Sequence, residues 1–194
     1  MNREQIINKA FEVNQDKRML KVELELLYDY VDKVYKGGHS LEIGAYKGMT
    51  SYVLASFVAA RGKENSKHFI VDAFSQVEKS DNNWLYEEHP MELLLNNTAD
   101  FQNSIIATEG YSTDNDIADE IISREYDYIW IDGDHRAGTL YLELLMADTL
   151  TDNIVMHDYG HPGVLVAVDK FCEKKGYKLN LWRPGELGLA HIEK

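Results

Sequence analysis

Along the chain the spacing of hydrophobic positions switches repeatedly between helical and extended periods. Leu20, Leu24, Leu27, Val31 and Val34 recur at helical spacing and stop at Gly37-Gly38, as an amphipathic helix closed by a glycine cap does. The short run SLEIG then predicts a strand, and TSYVLASFVAARG, which opens on capping-type residues and closes on Gly62, predicts a helix. The exchange continues through HFIVDAF (strand), a helix around MELLLNNTADF, SIIATEG (strand), NDIADEIISRE (helix), YDYIWID (strand) and TLYLELLMADTL (helix). NIVMHD (strand) and GVLVAVDKFCEKKG (helix) follow, and the chain closes with YKLNLW, a Pro184-Gly185 turn and LGLAHIEK. Strands alternating with helices predict an α/β fold with a doubly wound, mostly parallel seven-stranded sheet, and the closing pair predicts an antiparallel C-terminal hairpin.

Composition narrows the class. A length of 194 residues fits one domain with a full hydrophobic core, so the expectation is a single domain over 1–194, with a helical segment over 1–36 ahead of a core over 37–194. A net charge of −13 without a Lys/Arg cluster opposes nucleic acid and anionic membrane surfaces as partners. The one cysteine, Cys172, excludes an internal disulfide and a multi-cysteine zinc site and points to the cytoplasm. MNREQIINKAF has no signal-peptide pattern, and SYVLASFVAA, the longest helical apolar stretch, is about half of what spans a bilayer.

In open α/β sheets ligands bind beyond the carboxyl ends of the strands, where the strand order reverses. The residues in those places are Glu42 to Thr50, Asp72, Glu109 to Ser112, Asp132 to His135 and His157 to His161. LEIGAYKGMTS is a glycine-containing turn from strand into helix, neither the G-x-G-x-x-G of dinucleotide binders nor a phosphate-cradling P-loop. A carboxylate at Glu42 would repel a pyrophosphate and attract a cationic ligand such as the amino group and sulfonium of S-adenosylmethionine. Asp72 is placed to accept from a ribose diol, whether of NAD or of an adenosyl ligand. Structural alternatives are a tie for the loop (Glu42) and a helix N-cap (Asp72). After the fourth and fifth strands, Asp132 and Asp158 can bring two carboxylates to one mouth, as a hard divalent cation requires.

LEIGAYKGMTSYVLA resembles motif I of class I S-adenosylmethionine-dependent methyltransferases, nearest the catechol and caffeoyl-CoA O-methyltransferase group. YDYIWIDGDHRAGTLYLELLMADTL, NIVMHDY and PGVLVAVDKF resemble the small type 24 methyltransferase family, which is similar to macrolide sugar O-methyltransferases. The resemblance spans about residues 38 to 193 and implies a Rossmann-like methyltransferase fold whose last strand is inserted antiparallel. It implies that Glu42, Gly44, Tyr46 and Gly48 form the cofactor's methionine site with Thr50 near its carboxylate, that Asp72 takes the ribose and that Gly110 and Ser112 border the adenine. Asp132 would serve the cofactor site and hold a divalent metal, Mg or Mn, and His135, three residues on, would be the general base. A histidine suits that task near neutral pH.

The chain departs from the metal-dependent pattern at His157-Asp158, where the group has a carboxylate followed by Asn or Asp. Imidazole suits Mn²⁺, Fe²⁺, Ni²⁺ or Zn²⁺ better than Mg²⁺. The expected metal set is Asp132, His157 and Asp158, although neighbours in a strand face opposite ways unless the strand has ended. His161, before Pro162, reads as a helix-start residue, Asp134 as a cofactor contact or turn residue, Trp130 as core and Cys172 as packing. The long connection from Phe74 to Asp100 makes Trp84, Tyr86 and His89 candidates for an acceptor pocket. The segment before Leu20 is a candidate cover for the site or interface of a homodimer. The expected activity is metal-assisted O-methylation of a small-molecule hydroxyl, a sugar before a phenol; the alternatives are an NAD-dependent oxidoreductase and a non-catalytic protein of this fold.

Overall fold

Each strand predicted from the chain forms, and the order in which the strands join fixes where a ligand can enter. The computed structural model describes residues 1–13, 19–74, 89–182 and 188–194. Helices α1 (Arg3–Val13) and α2 (Lys21–Val34) lead into β1 (His39–Ile43), α3 (Met49–Arg61) and β2 (His68–Asp72). Then come α4 (Pro90–Asn97), a 3₁₀ segment (Ala99–Ser104), β3 (Ile105–Glu109), α5 (Asn115–Ile122), β4 (Tyr126–Ile131) and α6 (Ala137–Leu150). The chain closes with β5 (Asn153–Met156), α7 (Pro162–Lys175), β6 (Lys178–Trp182) and β7 (Leu189–Glu193).

The sheet has seven strands in the order β3-β2-β1-β4-β5-β7-β6. Pairings from β3 across to β5 are parallel, and β7 is inserted antiparallel between β5 and β6. The order reverses between β1 and β4, so the cleft expected for such a sheet lies over their carboxyl ends.

Period-2 alternation sorts the strand residues into two cores. Leu41, Ile43, Ile129, Ile131, Ile154 and Met156 join Leu140, Leu144, Val168 and Phe171 of α6 and α7 on one face. On the other, Tyr128, Trp130 and Val155 pack with Ile7, Leu24, Leu27, Val31 and Tyr52 of α1, α2 and α3. Trp130 and Cys172 are buried in these cores, as their settings predict. The helix expected around 91–101 is shorter than its apolar pattern: α4 stops at Asn97, and Thr98 turns its hydroxyl back to the Leu94 carbonyl, 2.8 Å away. No helix among the described residues is long and apolar enough to cross a membrane.

Candidate active site

A cleft of about 460 Å³ opens over the carboxyl ends of β1 to β5, within the range of small-molecule sites. Its floor on the β1 side is the turn from Gly44 to Thr50. Gly44 has φ +83°, and a Cβ there would fall 2.4 Å from the Asp132 carbonyl oxygen, so only glycine lets the two loops meet. Asp72, at the end of β2, folds the turn: Oδ2 accepts from the backbone N–H groups of Ala45 (2.6 Å) and Tyr46 (2.8 Å), and Oδ1 from that of Phe74 (2.8 Å). Tyr46 is held in the left-handed region at φ +49°. Gly44, Tyr46, Thr50 and Asp72 all border the cleft.

Two residues expected at the cofactor site do not border the cleft. Glu42 does not face the cleft: it is fully buried, and its carboxylate accepts hydrogen bonds from Thr50, from Ser51 at 2.6 Å and from His68 Nε2 at 3.0 Å. The reason is strand alternation. β1 runs on to Ile43, so Leu41 and Ile43 face α6 and α7 while Glu42 points the other way, under the start of α3. Gly48 is likewise not among the residues bordering the cleft; it caps α3 at φ +87°, against Leu94 and Thr98.

Beyond β3, Gly110 and Ser112 reach the cleft, and Ser112 brings with it a residue the sequence analysis missed. The buried Ser112 hydroxyl donates to Oε1 of Glu143, a carboxyl from the middle of α6 that is 2% exposed, borders the cleft, and whose Oε2 has no hydrogen-bond partner among the described residues. Burial pushes Glu143 up to about 7; the Ser112 hydrogen bond opposes the rise and the charge of Asp134 adds to it. A lone acid on the buried stripe Leu140, Glu143, Leu144, Ala147 was the available signal.

On the other side of the switch point, Asp132, His135 and Asp158 offer ligand atoms that all lie within 4.8 Å of one another. His135 Nε2 stands 3.2 Å from Asp158 Oδ2 and 3.9 Å from Asp132 Oδ1, yet it has no aligned hydrogen bond among the described residues. Asp132 raises the His135 imidazole above its ordinary value, against the effect of burial. Burial would lift the Asp132 carboxyl, but the two imidazoles outweigh it and hold the group below the usual carboxylate range. The chain has left β5 before His157, and Asp158 turns into the left-handed region at φ +57°, so both residues face the same group.

His157, expected as a metal ligand, borders the cleft and packs against Asp132 and Asp158, while the ligand atoms that converge are those of Asp132, His135 and Asp158. It is 5% exposed, with Nδ1 2.8 Å from Asp158 Oδ1 and Nε2 3.5 Å from Glu23 Oε2. Burial disfavours its charge, but Asp132, Asp158 and Glu23 raise it far above imidazole's ordinary value. Glu23 comes from α2, where its carboxylate also accepts from the Leu20 N–H at 2.7 Å. Glu23 was not singled out from the sequence. The buried Asp158 Oδ1, without an aligned partner among the described residues and close to the Asp132 carboxylate, fits a divalent cation, and His135 stands beside the two acids.

The neighbours have other tasks. Asp134 accepts from the backbone N–H and Nε of Arg136, at 2.8 and 2.7 Å, as a turn residue. His161 caps α7, with Nδ1 accepting from Gly163 N–H at 3.3 Å. His89 caps α4 and lies 3.9 Å from Glu109; Trp84 and Tyr86 fall outside the described residues. Met19, just before α2, borders the cleft.

The comparisons with known proteins agree with this architecture. A family model described as a methyltransferase domain matches residues 41–171. Among curated proteins none matches. Similar solved structures include a candidate caffeoyl-CoA O-methyltransferase from Staphylococcus aureus, with 16% identity and a TM-score of 0.68 over 100% of this chain and 93% of that one. An O-methyltransferase from Bacillus cereus, solved with S-adenosylhomocysteine, has 14% identity and a TM-score of 0.65 over 100% and 93%. CalS11, a TDP-rhamnose 3′-O-methyltransferase of calicheamicin biosynthesis, has 12% identity and a TM-score of 0.63 over 100% and 95%. At these identities the likeness is one of fold.

Proposed function

The chain belongs to the methyltransferase-domain family whose model spans residues 41–171, and from that premise we propose that it methylates a hydroxyl group of a small molecule with S-adenosylmethionine. One observation carries the reading: one cleft joins a backbone-lined glycine turn to a carboxylate and imidazole group in which His135 Nε2 and Asp158 Oδ1 are buried without a partner among the described residues. Residues 1–194 act together as one methyltransferase domain, the segment over 1–36 supplying Met19 and Glu23 to the site. A sugar hydroxyl is preferred to a phenol, in keeping with the sugar substrate named for CalS11.

The turn at Gly44, Tyr46 and Thr50 receives the methionine moiety, Asp72 the ribose hydroxyls, and Gly110 and Ser112 the base. The Asp72 oxygens already bind three N–H groups of the loop, so ribose occupies their remaining lone pairs and cofactor binding is tied to the fold of the turn. In the reaction an acceptor oxygen attacks the methyl carbon, the carbon–sulfur bond breaks, and the sulfonium leaves as a neutral thioether. The acceptor's proton passes to Nε2 of His135, which needs no displacement of an existing hydrogen bond. Because the methyl group is already activated, alignment and proton removal are the protein's main tasks. Asp132 and Asp158 would hold a divalent cation, Mg²⁺ or Mn²⁺, which supplies a Lewis acid that lowers the hydroxyl's pKa. His157 stands behind Asp158, between it and Glu23.

The test is transfer of a labelled methyl group from S-adenosylmethionine to a panel of nucleotide sugars and phenols, after chelation and again with Mn²⁺ or Mg²⁺ restored. Metal-restored labelling of one hydroxyl class is the expected result. Calorimetric binding of NAD with none of S-adenosylhomocysteine would overturn the reading in favour of an oxidoreductase.

A further inference from the structure

Glu143 borders the cleft, and the proposed reaction gives it no task. It lies on α6, away from the Asp132, His135 and Asp158 group, and is 98% buried by its 2% exposure. Its Oε1 is fixed by the Ser112 hydroxyl, while Oε2 has no partner among the described residues and the side chain borders the cleft. A buried acceptor in this state is uncommon in folded proteins and is open to a donor from a bound ligand.

The position selects the donor. In doubly wound sheets the acid that ends β2 takes the ribose, here Asp72. The methionine part then lies over the turn that follows β1, and the base extends the opposite way, across the loop after β3 where Ser112 meets Glu143. A cofactor's ammonium group belongs to the first side and its ribose hydroxyls to Asp72. The N–H donor left for the second side is the exocyclic amine of the adenine.

We propose that Oε2 of Glu143 accepts a hydrogen bond from the 6-amino group of the bound cofactor's adenine, with Ser112 holding the carboxyl in place, so that Glu143 sets the base specificity of the cleft. The proposal rests on the reading of S-adenosylmethionine as the cofactor. Burial lifts this carboxyl to about 7, so near neutral pH a proton is also available for N1, the ring acceptor beside the amine. A carboxylic acid and the amino edge of adenine are complementary at two points.

Calorimetry with S-adenosylhomocysteine and with its analogue lacking the 6-amino group tests this on the full chain. The wild-type protein is expected to bind the des-amino analogue roughly 10- to 100-fold more weakly, the range set by leaving a buried acceptor unpaired. Glu143→Leu should lose about that factor for S-adenosylhomocysteine and bind both ligands alike. Glu143→Gln, which keeps a carbonyl oxygen, should retain the discrimination to within about threefold. A purely structural role for Glu143 would weaken both ligands equally and leave their ratio unchanged in every variant. Wild-type protein that binds S-adenosylhomocysteine without discriminating, or Glu143→Leu that still discriminates, overturns the proposal. The wild-type measurement alone suffices should the leucine variant fail to fold. Absence of any S-adenosylhomocysteine binding would instead remove the cofactor reading itself.

Discussion

The loops after β1 and β2 and the loops after β4 and β5 border one cleft, but their polar groups are in opposite states. On the first side the described carboxylates Glu42 and Asp72 are both occupied, Glu42 by Thr50, Ser51 and His68 and Asp72 by three backbone N–H groups. On the second, His135 Nε2, His157 Nε2 and Asp158 Oδ1 are buried without aligned partners among the described residues, and Asp158 sits in a backbone conformation that favours glycine. The first side is a finished scaffold that holds a shape for a ligand's backbone-like groups. The second stores unsatisfied polarity, which folded proteins keep at the places where chemistry needs it.

The largest effects should follow from cutting the second side. His135→Ala is expected to lower kcat by about 10²- to 10⁴-fold, the usual contribution of a positioned base, while keeping Mn²⁺ affinity. Asp132→Asn should lose Mn²⁺ binding and turnover together. Both should bind S-adenosylhomocysteine within about threefold of wild type, as isothermal titration would read. If His135→Ala lost Mn²⁺ as completely as Asp132→Asn, His135 would be a ligand and the base would have to be sought elsewhere.

The same cut on the first side should show in stability. Glu42→Ala leaves two hydroxyls and an imidazole without their acceptor in a fully buried place, which is expected to cost about 3–5 kcal/mol. Urea unfolding should show a lower midpoint at unchanged slope. A variant as stable as wild type but unable to bind S-adenosylhomocysteine would return Glu42 to the cofactor site.

How much of this contrast the chain displays depends on the range of the forces involved. The strand and helix exchange is written in local periodicity, and so were the sheet, its switch point and the glycine turn. Asp132 and Asp158 were legible because each follows a buried strand. The roles of Glu42 and His157 were not, since each depends on which way one side chain faces, and that turns on whether a strand ends one residue earlier or later. Glu23 and Glu143 reach the site from helices distant in sequence, α2 and α6, and their contacts with His157 and Ser112 are tertiary. An acid within an apolar stripe was the only local trace of either.

Glu143 also gives the contrast a pH signature. Its folded pKa, about 7, lies above the ordinary carboxyl value, so the folded state holds the proton more tightly than the unfolded chain does. Its contribution to stability is therefore fully present below about pH 4.5 and is lost as pH rises through about 7. Glu143→Gln cannot titrate. The stability difference between this variant and the wild type should grow in the variant's favour across that window, by on the order of 2–3 kcal/mol, and then level off. Melting curves without ligand from pH 4 to 9 would read it; a difference that is flat throughout would mean that Glu143 is not proton-linked to folding.

The smallest effect separates the two glycines of the first loop. Gly44 and Gly48 both have φ near +85°, so alanine at either must enter the left-handed region, at about 1–2 kcal/mol. They differ in what a Cβ would meet. At Gly44 it would strike the Asp132 carbonyl at 2.4 Å and force apart the two sides of the cleft. At Gly48 its nearest neighbours would be the Leu94 and Thr98 side chains, at 3.1 and 3.2 Å, which can yield by a few tenths of an ångström, with the Leu94 backbone in ordinary contact at 3.5 Å. Gly48→Ala should thus lower Tm by roughly 3–8 °C, the shift that 1–2 kcal/mol produces in a domain of this size, and leave the Kd for S-adenosylhomocysteine within about threefold. The opposite pattern, an unchanged Tm with a tenfold weaker Kd, would mean that the Gly48 backbone touches the cofactor and that the scaffold side of the cleft ends before the first turn of α3.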